Sequence, residues 1–304
     1  MAAALAAILL PAAPPSVRAQ SAGRLPRALE LPLSTRAMAL GDAYMMTAGH
    51  ADAIFYHPAL LVDAGGFGLD HERWGDQGRA SAVSAATKWW GGAVGVGLVA
   101  AQYAAPGPGP RALPGGQDHL LDPGAVTVSE QIAVLGYARE VLGLKAGVAG
   151  KVVEERLGGF RDASAAVDLS VAVELGRATV GLTAQNLGVD LTFGDDDAAL
   201  PTRITLGGGG YGVPAGPLDL GLTGAVSRYA DGSYVPALGV ELGWWPVIGR
   251  TFVARAGVRR VPHGDASPFS FGLAFWGDDL VLEWAYQPFT GRDEGAHRFG
   301  VRWK

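Results

Sequence analysis

The chain has 304 residues, a formal net charge of -5 and no cysteine. Its length suits one large all-β domain or two ordinary ones, and no composition shift or polar linker divides it. The lack of cysteine excludes a disulfide framework, thiolate catalysis, Cys-ligated metal and a lipid-modified cysteine. The mild acidity, with no Lys/Arg cluster, gives no nucleic-acid signal.

In chain order, residues 1–19 read as a targeting segment. Ala2 to Ala13 is small and apolar, and Val17-Arg18-Ala19 has the small-x-Ala form of a signal-peptidase site. No Lys or Arg precedes Arg18, so the usual positive n-region is missing, and an Ala/Pro-rich tail is the bland alternative. The mature chain is expected to begin at Gln20. Beyond residue 19, no apolar run reaches the roughly 18 residues of a transmembrane helix.

Residues 20–65 form the next unit. Within them, residues 34–62 are rich in Ala and Met and show no period of two, with Gly41 and Gly49 as breaks and Pro58 ending any helix before it. The expectation is one or two short helices or turns, lodged inside a barrel as a hatch.

From residue 66 the dominant period is two. Val167, Leu169, Val171, Val173 and Leu175 alternate with Asp168, Ser170 and Glu174; Leu280, Leu282, Trp284 and Tyr286 alternate with Glu283 and Gln287. Such alternation makes strands with one apolar and one polar face. The predicted strands are 66–74, 78–90, 92–103, 125–139, 142–155, 162–175, 177–190, 202–212, 217–229, 233–245, 250–261, 267–276, 279–288 and 295–304. An even number of strands of about ten residues is the sequence form of a transmembrane antiparallel β-barrel. Glycines on both faces suit crowded, strongly twisted strands.

The connections are expected to alternate. Trp90-Gly91-Gly92, Gly176-Arg177, Pro246 to Gly249 and Gly277-Asp278 are tight. The segments 104–124, 156–161, 190–201, 261–267 and 288–295 read as longer loops on the opposite side. Trp89, Trp90, Trp244, Trp245, Trp276 and Trp303 fall at the short-turn side, as an interfacial aromatic girdle should. The last strand alternates up to Trp303, an ending of the kind that the barrel-assembly machinery is thought to read, although Lys304 follows it.

With the apolar faces toward lipid, charges of both signs line the lumen: Lys145, Lys151, Asp168, Glu174, Arg177, Arg203, Asp219, Glu241, Arg255, Arg259, Glu283, Arg298 and Arg302. Successive strands tend to change sign, which favours cross-strand pairs. Two readings stay open: pairs that rigidify and plug a narrow barrel, or a polar conduit or binding cavity.

The segment Arg36-Ala37-Met38-Ala39-Leu40-Gly41-Asp42-Ala43-Tyr44, followed by Ala51-Asp52-Ala53-Ile54-Phe55-Tyr56-His57-Pro58-Ala59-Leu60, resembles the start of PorV/PorQ-like outer-membrane proteins, relatives of the FadL-type transporters of hydrophobic compounds. Gln185-Asn186-Leu187-Gly188, Leu200-Pro201 and Trp284-Ala285-Tyr286-Gln287-Pro288 carry the resemblance further along the chain. It implies a barrel of fourteen strands with an N-terminal hatch. A FadL-like member passes small hydrophobic or amphipathic molecules; a PorV-like member serves protein secretion or surface assembly and need not transport. The candidate gate is Arg36, Asp42, Asp52, Tyr56, His57 and Pro58. His57 stands where the pattern has Asn, and its near-neutral titration raises a pH-sensitive gate as an alternative to a plain structural role.

Enzymatic signals are weak. None of the six histidines lies in a Gly-x-Ser-x-Gly elbow or a His-Glu-x-x-His site. Asp195-Asp196-Asp197 suits a solvated loop better than a Ca²⁺ site. The expected partners are outer-membrane lipid, the barrel-assembly machinery, and either a hydrophobic ligand or a secretion partner docked on outer loops such as 104–124. No cofactor or metal is expected.

Overall fold

The computed structural model describes residues 26–44, 49–74, 78–105, 126–193, 196–261, 266–290 and 294–303. The proposed signal segment, Asp195, His119, His263 and most of the 104–124 loop lie outside them.

The period-two segments are strands: β1 (Gly66–Trp74), β2 (Gly78–Trp89), β3 (Gly92–Ala105), β4 (Val126–Val141), β5 (Leu144–Leu157), β6 (Phe160–Leu175) and β7 (Ala178–Gly188). After a small hairpin of β8 (Leu191–Phe193) and β9 (Asp196–Ala198) come β10 (Arg203–Ala215), β11 (Leu218–Tyr229), β12 (Tyr234–Val247), β13 (Arg250–Arg259), β14 (Phe269–Trp276), β15 (Leu280–Pro288) and β16 (Gly295–Trp303). All but the hairpin form one closed antiparallel barrel of fourteen strands. Each wall strand pairs with its neighbour in sequence, β10 following β7. The seam is closed by β1 against β16, with Phe67 opposite Trp303 and Trp74 opposite Ala296. Closure leaves no edge strand in the wall.

The wall follows the predicted spans, the first two strands included. Three expectations fail. Residues 156–161 are no loop: Leu157 pairs with Phe160 across the tight Gly158-Gly159 turn, so β5 and β6 run on through their charged ends. Trp276 is not in the aromatic girdle. Phe269, Phe271, Leu273 and Phe275 take the outward positions of β14, which turns Trp276 inward. Arg177 lies in the exposed β6–β7 turn, bonded to the Gly212 carbonyl, and does not line the lumen.

Outside, the wall is apolar, with Phe271, Leu273, Leu282 and Phe299 all about half exposed. Inside lie small and polar side chains, and against them the N-terminal segment. Among its described residues, that segment has one short helix, α1 (Thr35–Ala39), and three short 3₁₀ stretches, Arg27–Leu29, Ala51–Phe55 and Pro58–Asp63. Ser34 caps α1, its hydroxyl accepting from the Ala37 N–H at 3.1 Å. Gly41 ends it in the left-handed region (φ 65°), beside the Val258 backbone, where no Cβ fits. Ile54, Phe55, Leu60 and Leu61 are buried against the inner wall, each contributing roughly 1.5–3 kcal/mol.

Candidate functional site

The candidate site is the lumen and the segment that fills it. On one side, α1 lies along the inner faces of β12 to β16 and is held by charge. Arg36 donates to Glu241 at 3.0 Å, and Arg255 joins Glu241 to Glu283, both at 2.6 Å. Arg302 continues the chain, 3.5 Å from Glu283, 2.8 Å from Asp70 and 3.3 Å from Asp52 of the N-terminal segment. Asp70 accepts from both the backbone N–H and the hydroxyl of Thr35 at 2.7 Å. Arg298 pairs with Glu72 next to this chain. These side chains are buried, so each charge is desolvated and depends on its partners.

Asp42 sits between two wall arginines, Arg259 at 3.6 Å and Arg203 at 3.9 Å. Arg203 also bonds Gln185 and the Tyr229 hydroxyl. Gln185 in turn donates to the Phe55 carbonyl of the hatch at 3.0 Å. Lys151 pairs with Asp168 at 2.7 Å and bonds Asn186, whose own N–H is accepted by Asp168. Toward the short turns, Lys145 bridges Asp63 of the hatch and Glu174. Asp219 points inward at the same end, half-buried and outside these networks.

The fit is also steric. Inner-face glycines of β3, β4 and β5 leave room for the 51–63 turns. A Cβ on Gly97 would lie 2.4 Å from the Phe55 ring, and one on Gly147 would lie 2.3 Å from the Ala59 nitrogen. These glycines answer to the hatch rather than to strand twist.

Tyr56 organises the segment itself. Its hydroxyl accepts from the N–H groups of Leu33 at 2.5 Å and Ser34 at 2.8 Å, and its ring stacks on Tyr44 at 4.7 Å. Tyr44 donates to Asp52 at 2.8 Å. Pro58 starts the last 3₁₀ turn, and Ser170 accepts from the N–H of the next residue, Ala59. Burial pushes the imidazoles of His50 and His57 down to about 4. His57 therefore stays neutral while it is docked, and its protonation is tied to release of the hatch.

Sequence reading missed several wall groups. Asp70 and Glu72 share the inward parity of β1 opposite Phe67 and Leu69. Glu130 was also missed: it accepts from the N–H groups of Arg27 and Ala28 and from the Tyr103 hydroxyl, fastening the first 3₁₀ turn. Trp276 meets the Arg36 guanidinium at 5.8 Å and the edge of His50 at 6.3 Å. Between hatch and wall, the void bounded by Leu29, Leu33, Phe55, Ile132, Lys151 and Arg203 has about 10 Å³ of space, room for one water at most.

Among solved structures, the fold is similar to the Pseudomonas putida toluene transporter TodX, with a TM-score of 0.58 and 9% identity over 88% of this chain and 95% of that one. It is also similar to the CymD monoaromatic hydrocarbon channel (0.55, 11%, 83% and 91%) and to the Ralstonia pickettii toluene transporter TbuX (0.52, 12%, 88% and 97%). At such identities the likeness is one of fold. It agrees with the FadL-type side of the resemblance, and nothing in it bears on the PorV-like side. No protein-family model matches the chain, and no curated protein does.

Proposed function

We propose that the protein is an outer-membrane channel for small hydrophobic or amphipathic molecules, closed by residues 26–65 and opened when they leave the wall. An apolar outer surface on a closed barrel supports the membrane setting, because water would penalise it at about 25 cal/mol per Å². The observation that carries channel function is what fills the lumen. Where residues 35–41 and 54–61 press closest, the inner wall is glycine, as at Gly97, Gly147, Gly257 and Gly272, and the bulk at those points comes from a separate chain segment. A barrel meant to stay shut can fill itself with wall side chains; this one is shaped around a removable part. The fold shared with hydrocarbon channels points to apolar cargo.

The closed lumen favours a second reading, a barrel that stays shut and serves protein secretion or surface assembly. One experiment separates them. Ala43 of the hatch packs against Ala225 and Ala237 of the wall, and the chain has no cysteine of its own. The Ala43→Cys/Ala225→Cys and Ala43→Cys/Ala237→Cys pairs would tie the hatch down when oxidised. Entry of N-phenylnaphthylamine into cells expressing the protein is expected to stop on oxidation and return on reduction. Entry that is absent, or indifferent to the crosslink in both pairs, would sink the gated channel and leave the shut barrel.

A further inference from the structure

The outward face of β15, β16, β1 and β2 changes character over three successive cross-strand rows. The first sets Leu282, Val301, Leu69 and Val83 side by side. Two residues nearer the loop end, the row reads Trp284, Phe299, His71 and Ser81. The next reads Tyr286, His297, Arg73 and Arg79. The surface thus passes from aliphatic to aromatic to cationic, and none of the three rows contains a carboxylate. The turn that joins β1 to β2, with Asp76, lies outside the described residues.

The aromatic step is built rather than scattered. Trp284 and Tyr286 stack with centroids 6.3 Å apart and planes 7° from parallel. His297 lies 4.7 Å from the Tyr286 ring, and its Nδ1 accepts from the Trp284 indole at 3.4 Å. In the cationic row, Arg73 and Arg79 stand directly opposite each other across the β1–β2 pair. Gln102 of β3 steadies Arg79, accepting from its guanidinium at 2.7 Å. Both arginines are exposed, and a phosphate between them would meet two guanidiniums of the fork geometry that suits it.

We infer that this surface binds a phosphorylated glycolipid of the outer leaflet. Acyl chains lie on the aliphatic row, a sugar ring rests its apolar face on Trp284, Tyr286 and His297, and Arg73 and Arg79 hold the phosphate. The inference rests on the membrane reading above. An anionic lipid without a sugar would use the arginines and leave the aromatic step idle.

The test uses the full chain in detergent, with native mass spectrometry as readout and diphosphoryl lipid A as probe. Its dephosphorylated form and phosphatidylglycerol are the comparison lipids. A heat-dependent shift on SDS gels is scored first, since a protein without it overturns the barrel-in-membrane reading itself. Given the shift, the wild type is expected to retain diphosphoryl lipid A about tenfold better than either comparison lipid, a difference of about 1.4 kcal/mol. Arg73→Gln/Arg79→Gln should erase the preference for phosphate, and Trp284→Leu the preference over phosphatidylglycerol. Equal retention of the dephosphorylated form by the wild type overturns the phosphate clamp whatever the variants do. Equal retention of phosphatidylglycerol overturns the sugar platform.

Discussion

The hatch meets the barrel through two unlike surfaces. Toward β12–β16 and β1 it is held by charge: Arg36, Asp52 and the Thr35 N–H and hydroxyl enter a chain that runs from Glu241 to Asp70. Toward β3–β6 shape contributes more, with Ile54, Phe55, Ala59 and Leu61 set over glycines, beside the bonds to Glu130, Lys145 and Ser170. Charge and shape fail differently. A buried ion pair that loses one member leaves an uncompensated charge behind. The same groups, once hydrated, lose little, so water entering the lumen competes with the charged side directly. The apolar contacts have no such competitor and yield only when their fit is spoiled or the whole segment moves. A hatch attached in this way should peel from its charged side first.

The largest effect is expected from Arg302→Met. Arg302 is the cation that Asp52, Asp70 and Glu283 have in common, and its loss leaves three buried carboxylates facing one another. The cost should be about 3–5 kcal/mol, read as a lowered unfolding midpoint of the whole protein together with faster hydrogen exchange in residues 35–42. Adding Asp52→Asn and Asp70→Asn should recover part of it. An unchanged midpoint in Arg302→Met would mean that water already screens the chain of ion pairs.

Gly147→Val attacks the other surface and should act more locally. Its Cβ would fall 2.3 Å from the Ala59 nitrogen and 2.5 Å from the Pro58 carbonyl carbon, backbone atoms that can move only with the turn. Overpacking of this kind costs about 1–3 kcal/mol. Exchange should accelerate in residues 58–63 while the barrel keeps its heat-dependent gel shift and its unfolding midpoint. A variant whose barrel unfolds early instead would show that the two surfaces are one cooperative unit.

Much of the wall was legible in the sequence, because a barrel strand faces apolar surroundings on one side only and the period of two records it. Where reading failed, local chemistry had been weighed above parity. Residues 156–161 look like a loop by composition, yet Arg156 and Leu157 keep the alternation of the strand before them as β5 continues. Trp276 was assigned by its place at a strand end, although the parity of Phe271, Leu273 and Phe275 already turned it inward. The inward charges could be named but not paired. Arg302 and Asp52 are 250 residues apart, and their meeting depends on barrel closure and on the hatch lying inside. The same holds for the glycines. Parity sets Gly147 on the lumen face with Lys145 and Lys151, and Gly150 on the outer face, but nothing in the sequence shows that the hatch presses on Gly147.

The smallest effect bears on both surfaces at once, through His50 and His57. Docked, both imidazoles stay neutral down to about 4, because burial disfavours the charged form. Released into water, each takes up its proton near the ordinary value of about 6.5. The released hatch therefore binds more protons between those values. Docking is at full strength above about pH 6.5 and weakens as the pH falls toward 4. At pH 5.5 the loss should be about 1 kcal/mol per histidine. Hydrogen exchange of residues 50–63, corrected for its intrinsic pH dependence, should accelerate between pH 7.5 and 5.5. His57→Asn should remove about half of that acceleration and leave exchange at pH 7.5 little changed. If the acceleration survives intact in His57→Asn, the acid sensitivity belongs to His50 beside Trp276, on the charged side, and peeling begins there. If it is halved, protonation loosens the apolar side as well, and acid is the one perturbation that weakens both grips together.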